Sequence, residues 1–518
     1  MHHVILICCA CLLSVNASEL PDWKAPFWPA DDSWRQVDQH LRFNNESDPA
    51  TLDPQLNKTV NGGRLAMALF EGLVSNDPTD LQIRPGVAQR WTVSEDGLRY
   101  TFHLRPDARW SDGRAITAAD FVGSWRRALD PATGSSYAYM LFPIMNAEAV
   151  YQQQAAADTL GVRALDEHTL TVDLAGPCPY FLDLCAFETL YPVPLHVIAE
   201  HGENWTRPGL MVGNGPFQLH AWKPRQYLEM RKNPHYWDAA FVKLERITAY
   251  PYEDMEAAYN LFRQGQLDWI CGVPKQRVRE LEWDPDYYAA PYLGSYFYRI
   301  NCTRKPFDDR RVRQALSLTV DREAVVRVLG AGERPSTALV PPLVGGYEPV
   351  AGLSANPARA RELLAEAGFP EGEGFPAFEL WYNNSDDHKK VAETIAESWR
   401  QQLGVTAKLR NCEWRLFVKR QDDLQYDVSR AGWIGDYNDP NTFLNLFASD
   451  GGNNRTGWSN AAYDRLLAAS QQTGDPAERR QLFAQMEHIL VEREFPIIPL
   501  YIYVYTGMMR ENLRGIRL

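Results

Sequence analysis

The sequence predicts an α/β fold in which helices and strands are mixed along the chain, rather than an all-β sandwich or a helical bundle. Alternating apolar patterns typical of strands and helical patterns of period 3.6 both recur through the chain. Neither internal repeats nor low-complexity tracts interrupt them. The chain has 518 residues, 45% of them apolar. A chain of this length is longer than a single hydrophobic core usually supports, so we expect two or three domains.

In the first half of the chain, Tyr100–Leu104 alternates in the manner of a half-buried strand. The turn signals Asp96-Gly97 and Asp112-Gly113 bound this strand. Thr117–Asp120 has the pattern of a capping box and predicts a helix that ends before Pro131.

The second half of the chain has the same mixed character. One helix is expected over Arg311–Leu329, with a new turn beginning at Asp321-Arg322. Three further helices are predicted over Pro357–Ala367, His388–Leu403 and Ala477–Val491. Two strands are predicted over Val405–Leu409 and Pro496–Tyr505.

Residues 1–17 have the pattern of a signal peptide. Val4–Leu13 contains only apolar residues and Cys and is too short to span a bilayer, and we expect cleavage after Ala17. The mature protein is therefore predicted to be exported. A buried N-terminal strand is one alternative. A lipoprotein anchor is another, because three cysteines lie in this segment: Cys8, Cys9 and Cys11.

Charge and motifs exclude several function classes. The formal net charge of −13 disfavours nucleic acid as a partner, because binding to the phosphate backbone requires a positive surface. No Gly-x-Ser-x-Gly elbow, His-Glu-x-x-His helix or Walker loop occurs. Asp436–Asn441 begins like a calcium loop, but Pro440 and Asn441 occupy the positions that need an oxygen ligand and a glycine. We predict neither a metal nor a cofactor, and no enzymatic activity.

Three blocks of sequence carry a specific pattern. The first block is Thr51–Pro54 with Leu69–Val74, and the third is Arg430–Trp433 with Asp436–Pro440 and Phe443-Leu444. The second block, which is the most specific, comprises Pro85, Ala88–Trp91, Ser94–Arg105, Trp110–Gly113 and Thr117–Asp120. Pro306–Asp309 and Arg313–Leu316 add support between them. Together these blocks resemble the family 5 extracellular solute-binding proteins, which are the oligopeptide- and dipeptide-binding components of bacterial ABC importers.

The resemblance implies a two-lobed, three-domain periplasmic binding protein that encloses its ligand between hinged lobes. By this resemblance, domain I is discontinuous (18–60, 186–285 and 500–518), domain II is an insertion (61–185) and domain III is the closing lobe (286–499). It also implies that the protein is a monomer, binds short peptides with a free N-terminus and delivers them to the membrane permease subunits of an ABC importer.

The resemblance also implies ligand-binding residues. Asp436 matches the carboxylate that binds the peptide α-ammonium, and Asp48 matches a second acidic group near that amine. Gly432, Trp433 and Ile434 belong to the segment that pairs with the peptide backbone. The groups that meet the far end of the ligand are Arg430, His388 and Asn383. The residues that line side-chain pockets are Trp414, Tyr292, Asn453, Tyr503, Tyr137 and Tyr139.

Two positions depart from the pattern of the oligopeptide binders. Some members have a disulfide beside the cleft, and its two positions are Gly294 and Ile434 here, so that bond is absent. An arginine found near the ligand is replaced by Gln421, with Arg420 beside it. Because glutamine cannot neutralise a carboxylate, we expect a different preferred length or C-terminal chemistry.

Two other functions stay open. The same fold can bind another solute, such as a murein peptide, a metal chelate or an opine-like compound, and a ligand without an amine would not need Asp436. A secreted hydrolase is the alternative from another class, and a screen for peptidase activity separates it from a binding protein.

Overall fold

A computed structural model describes residues 38–78, 81–449 and 451–513. The predicted signal peptide, residues 1–17, lies outside the described residues. Within the described ranges, no helix is long and apolar enough to cross a membrane.

The chain divides into two compact units. The C-terminal unit consists of Lys275–Leu281 and Ala289–Thr506. The N-terminal unit consists of the described residues up to Pro274, together with Glu282–Tyr288 and the described residues from Gly507 onward. The chain therefore passes between the units more than once. The finer division into three domains stays a prediction.

The N-terminal unit combines short helices with two larger sheets. Its strands are β1 (His40–Asn44), β2 (Val74–Asn76), β3 (Ile83–Pro85), β4 (Ala88–Val93), β5 (Arg99–Leu104), β6 (Val162–Asp166), β7 (Thr169–Asp173), β8 (Phe217–Lys223), β9 (Tyr227–Lys232), β10 (Arg246–Tyr250) and β11 (Trp269–Ile270). Its helices are α1 (Val60–Leu69), α2 (Ala118–Leu129), α3 (Ala147–Tyr151), α4 (Phe181–Cys185), α5 (Leu195–His201) and α6 (Met255–Arg263).

One sheet of this unit has the order β11-β1-β10-β9-β8, and the other is antiparallel with the order β4-β5-β7-β6. Helix α2 lies against β6. The predicted capping box is present, since the backbone N–H and the hydroxyl of Thr117 donate to Asp120 Oδ2 at 2.8 and 2.9 Å. Trp125 of α2 is buried, and its Nε1 donates to the Leu190 carbonyl at 2.9 Å.

The C-terminal unit contains the longer helices and strands. Its helices are α7 (Val278–Leu281), α8 (Arg310–Leu318), α9 (Arg322–Leu329), α10 (Pro357–Glu366), α11 (Asp386–Leu403), α12 (Trp414–Asp422), α13 (Asn441–Leu444), α14 (Ala461–Gln472) and α15 (Pro476–His488), which continues as a π-helix over Ile489–Glu494. Its strands are β12 (Tyr287–Ile300), β13 (Arg334–Pro335), β14 (Phe378–Asn383), β15 (Ala407–Cys412), β16 (Val428–Ile434) and β17 (Ile497–Met509), the first and last of which extend into the N-terminal unit.

The strands of this unit follow the order β15-β14-β16-β12-β17, and β13 pairs with β17. Strand β14 is parallel to β15 and β16, whereas β12 is antiparallel to β16. Alternation along β12 places Tyr296 and Tyr298 in one core with α8–α11, and Phe297 in a second core with α13–α15. Both faces of the central strands are therefore buried over this stretch.

Two predicted elements are corrected. The single helix over Arg311–Leu329 is wrong, because Asp321 ends the apolar run by capping a second helix with a hydrogen bond from the Ala324 N–H at 2.9 Å. The strand predicted over Val405–Leu409 begins two residues later and extends to Cys412, because it pairs with β14 along its full length.

Candidate functional site

The predicted ligand-binding residues fall into two groups. The C-terminal unit holds Tyr292, Asn383, His388, Trp414, Arg430, Gly432, Trp433, Ile434, Asp436, Asn453 and Tyr503. The N-terminal unit holds Asp48, Tyr137 and Tyr139.

Strand β16 carries the core of the C-terminal group. In its antiparallel register with β12, Arg430 lies opposite Tyr298, Gly432 opposite Tyr296 and Ile434 opposite Gly294. Because side chains alternate along a strand, the three β16 residues share one face and Trp433 faces the other way. The packing agrees, since Trp433 lies against the second core, with Phe297 and Phe447.

Arg430 is a partly buried cation, and no carboxylate of the described residues forms an ion pair with it. Its Nη2 donates to the Tyr503 hydroxyl at 3.5 Å, and its guanidinium carbon lies 5.1 Å from the centre of the Tyr296 ring. Its Nε is buried without a hydrogen-bond partner in the described chain. Asp427, three residues before Arg430 in the sequence, pairs with Arg304 at 2.9 Å. A partly buried guanidinium with unused donors is suited to bind a carboxylate.

His388, in the first turn of α11, faces the same cluster. Its Nδ1 lies 3.3 Å from the Tyr296 hydroxyl. Burial lowers the pKa of His388 to about 3, and the positive charge of Arg430 contributes to the shift. The imidazole is therefore neutral at physiological pH and leaves Arg430 as the positive charge of the cluster.

Tyrosines from β12 and β17 surround these two residues. The rings of Tyr296 and Tyr501 stack with their centres 4.6 Å apart. Tyr503 meets Tyr292 edge-on at 6.5 Å, and Tyr292 stacks on Tyr505 at 6.1 Å. Sequence reasoning missed Tyr296, Tyr501 and Tyr505 as members of this cluster. The alternating tyrosines of Tyr296–Tyr298 and Tyr501–Tyr505 were the available signal.

One edge of β16 is only partly covered. Among the described residues, β14 pairs with β16 at Val428 and Ser429 alone. Just beyond, the Gln421 side-chain amide donates to the Arg430 carbonyl at 2.7 Å. The pairings of the described strands leave the remaining stretch, Ala431–Ile434, without a neighbour on this edge. An uncovered edge presents backbone N–H and C=O groups that an added strand can use.

Asp436 follows directly after this edge. Its backbone N–H donates to the Thr442 hydroxyl at 3.1 Å, and the Trp433 indole N–H reaches the same oxygen at 3.4 Å. Thr442, in the first turn of α13, therefore fixes the loop that carries Asp436. The neighbouring Asp439 is used internally, because both of its oxygens accept hydrogen bonds from Arg479 at 2.6 and 3.0 Å.

Three further predicted ligand-binding residues lie at the margins of this unit. Asn383 ends β14 opposite Cys412, and its Oδ1 is buried without a hydrogen-bond partner in the described chain. Trp414 is 54% exposed and stacks on Phe417. Asn453 is exposed in the loop before α14. No contact found in the structure joins these residues to the Arg430 cluster within the described ranges.

In the N-terminal unit, Asp48 binds a hairpin of its own unit. The Trp222 indole N–H donates to Asp48 Oδ1 at 3.3 Å, and the Arg225 backbone N–H donates to Oδ2. The rings of Tyr137 and Tyr139 lie 5.8 Å apart, and Tyr137 also contacts Phe187 at 5.3 Å. The ligand-binding roles of these three residues stay predictions.

The two departures noted in the sequence have clear structural settings. Gln421 is buried, and its amide group donates to the Ser429 hydroxyl as well as to the Arg430 carbonyl. It therefore holds α12 to β16. Gly294 and Ile434 lie directly opposite each other, and the Tyr503 ring covers Gly294. Across the described ranges, no group of three or more His, Cys, Asp and Glu side chains is placed to hold a metal ion.

Residues 82–455 match the model of the family described as bacterial extracellular solute-binding proteins, family 5 Middle. The chain is 37% identical to the probable deoxycholate-binding periplasmic protein YgiS of Escherichia coli K12, over 92% of this chain and 90% of that protein. It is 37% identical to the periplasmic oligopeptide-binding protein OppA of Salmonella typhimurium LT2, over 92% and 89%. It is 36% identical to the periplasmic murein peptide-binding protein MppA of Escherichia coli K12, over 99% and 96%.

Solved structures give the same result. The Escherichia coli murein tripeptide-binding protein MppA superposes with a TM-score of 0.77 at 36% identity, over 92% of this chain and 95% of that one. Haemophilus influenzae OppA in complex with the peptide RPPGFSPFR superposes with a TM-score of 0.74 at 32% identity, over 92% and 96%. These likenesses confirm the predicted α/β fold.

Proposed function

Because the chain belongs to the family 5 bacterial extracellular solute-binding proteins, we propose that it binds short peptides with a free N-terminus for uptake by an ABC importer. Members of this family are binding proteins and not enzymes, so the hydrolase alternative is excluded. The solute remains to be assigned, and three properties of the C-terminal unit support a peptide.

The observation that carries the proposal is the uncovered edge of β16 over Ala431–Ile434. An extended peptide can add to such an edge as a further strand, with its own backbone amides supplying the hydrogen bonds. Main-chain pairing does not depend on the side chains of the ligand, so this edge favours a receptor with broad sequence tolerance.

The charges beside the edge fit the two ends of a peptide. Asp436 follows the edge at one end and is the proposed partner of the α-ammonium group. At the other end, Arg430 is partly buried and has no anionic partner among the described residues. We propose that it meets the C-terminal carboxylate of short ligands, together with His388 and Asn383.

The aromatic residues provide surfaces that can contact many different ligand side chains. Tyr292, Tyr503 and the half-exposed Trp414 offer broad apolar surfaces with polar edges. Water can fill the space that a small ligand side chain leaves empty. We propose that these residues line side-chain pockets, with Asn453, Tyr137 and Tyr139 as further members and Asp48 near the ligand amine.

We further propose that the mature protein acts as a monomer in the periplasm and delivers its ligand to membrane permease subunits. The relatives named above are periplasmic proteins, and the signal-peptide pattern at residues 1–17 agrees with export.

A second candidate solute comes from the relatives themselves. Proteins of similar identity to this chain are named for murein peptides and for deoxycholate. A murein peptide retains the backbone and carboxylate groups that the β16 edge and Arg430 can bind. Deoxycholate has one carboxylate and no amine, so it would use Arg430 and the tyrosines but leave Asp436 without its proposed partner.

The test is to identify the solute directly. Protein purified from its natural periplasm is denatured, and the released small molecules are analysed by mass spectrometry. The ligand-free protein is then titrated by calorimetry with tripeptides, a murein tripeptide and deoxycholate. The proposal expects a mixture of short peptides and tripeptide binding within about 3 kcal/mol for Ala, Lys and Phe at the second position. Binding of deoxycholate without binding of any peptide would contradict it.

A further inference from the structure

The ring of Tyr503 lies flat across three strands of the C-terminal unit. It starts from β17, and a Cβ atom placed on Gly294 of β12 would lie 2.8 Å from its Cδ2. A Cβ atom placed on Gly432 of β16 would lie 2.7 Å from its hydroxyl oxygen. The hydroxyl also accepts the 3.5 Å hydrogen bond from Arg430. The ring therefore occupies the space that side chains at both glycine positions would fill.

Neither glycine is required by backbone conformation. The backbone at Gly294 and Gly432 is not in the left-handed region, and both residues lie in regular antiparallel pairing between β12 and β16. An alanine can adopt such a conformation without strain. What each glycine provides is space beneath the aromatic ring.

Gly294 has the larger effect on the ring. Its nearest atom is a ring carbon close to the Tyr503 backbone, whereas the atom nearest to Gly432 is the hydroxyl at the tip. Ordinary carbon–carbon contact needs about 3.5–4.0 Å, so a methyl group at position 294 must lift the ring by about 1 Å. The sheet lies below the ring, so the ring would move toward the partly exposed side of Tyr503.

We infer that Gly294 is a specificity-determining residue, which sets how deep the side-chain pocket above Tyr503 is. The inference rests on the proposed function, in which Tyr503 lines the ligand site. With glycine at 294 the ring lies against the sheet, and the space above it receives a large apolar or aromatic ligand side chain. The opposite residue, Ile434, is 38% exposed and forms an apolar border of the same space.

The test compares Gly294→Ala with the wild type on two sets of tripeptides, in which Ala or Trp is placed at each position in turn. Calorimetry is expected to show that the variant loses at least tenfold in affinity for Trp at one position. Binding of the all-Ala peptide should change less than threefold. Gly474→Ala serves as the control, because a Cβ at this exposed glycine meets no atom within 4 Å.

A double-mutant cycle separates pocket depth from general damage to the fold. In a Tyr503→Ala background there is no ring to lift, so Gly294→Ala should no longer affect the Trp peptides. Equal losses in both backgrounds would overturn the inference, as would unchanged Trp binding in Gly294→Ala. If the wild-type protein binds none of the peptides, the proposed function fails. If the wild type binds them and Gly294→Ala binds them equally well, only the inference about Gly294 fails.

Discussion

The guanidinium carbon of Arg430 lies 5.1 Å from the centre of the Tyr296 ring, and no carboxylate of the described chain lies within ion-pair distance of it. The aromatic face offsets part of the cost of burying this charge. Such a residue contributes little to the fold by pairing and is available to a ligand anion.

Replacing Arg430 with Met should therefore weaken peptide binding more than it weakens folding. The variant is expected to lose about 2–4 kcal/mol of binding free energy for a tripeptide with a free C-terminus, because a buried charge-assisted hydrogen bond is removed. For a C-terminally amidated tripeptide, the same substitution should reduce the binding free energy much less. Calorimetry checks both ligands, and Arg359→Met, at an exposed surface ion pair, is the control. Equal losses for both ligands would show that Arg430 does not meet the carboxylate.

The partly buried His388 should make the protein sensitive to acid. Burial lowers its pKa to about 3, whereas the unfolded chain binds the proton near pH 6.5. Between these values the unfolded state holds more protons, so the free energy of unfolding falls as pH decreases below about 6.5.

The comparison of wild type with His388→Gln measures this effect. After allowance for the partial exposure of His388, the free energy of unfolding should fall between pH 7 and pH 5 by on the order of 1 kcal/mol more in the wild type than in the variant. Urea unfolding at each pH measures the free energy of unfolding of both proteins. His488→Gln, at a half-exposed histidine, should follow the wild type. Parallel stability curves for wild type and His388→Gln would contradict the burial of a neutral imidazole.

Glu487 organises the connection around Leu339–Val350. One of its oxygens accepts the N–H groups of Leu339 and Val340, and the other accepts the Tyr347 hydroxyl and the Val350 N–H, all within 3.0 Å. Burial raises the pKa of Glu487 to about 7, against the effect of these donors. The carboxylate provides acceptors on both sides, which an amide cannot do.

Glu487→Gln should therefore destabilise the protein although it preserves shape. The amide nitrogen would face the Val350 N–H, and two hydrogen-bond donors cannot satisfy each other. We therefore expect the free energy of unfolding to fall by about 2–4 kcal/mol. Chemical denaturation measures it, with the exposed Glu478→Gln as the control. A loss below 0.5 kcal/mol, in the range of surface substitutions, would show that the four hydrogen bonds do not require the charge.

Local signals in the sequence predicted many elements correctly. The capping box at Thr117–Asp120 identified the start of α2, and Gly404, with φ 68°, ends α11 as expected. The helix predicted over Arg311–Leu329 runs across the boundary between α8 and α9 because the apolar pattern continues through it, although Asp321 caps α9. The π-helix after α15 leaves no mark in the hydrophobic periodicity.

For the candidate binding site, prediction from the sequence has a different limit. The resemblance indicated Arg430, His388 and Tyr503 separately, and their position around Tyr296 depends on the register of β12 with β16 and β17. Register is set by tertiary packing and could not be read from a single strand. The uncovered edge of β16 likewise depends on where β14 stops pairing, and the buried role of Gln421 depends on the docking of α12.

The most direct test of the account concerns Asp436 and the α-amine of the ligand. Calorimetry compares free and N-acetylated tri-alanine on the wild type and on Asp436→Asn, which keeps the shape of the side chain and removes its charge. The account predicts that acetylation costs the wild type about 2–5 kcal/mol, that Asp436→Asn costs a similar amount with the free peptide, and that the two losses do not add. Equal affinity of the wild type for free and acetylated peptide would contradict it.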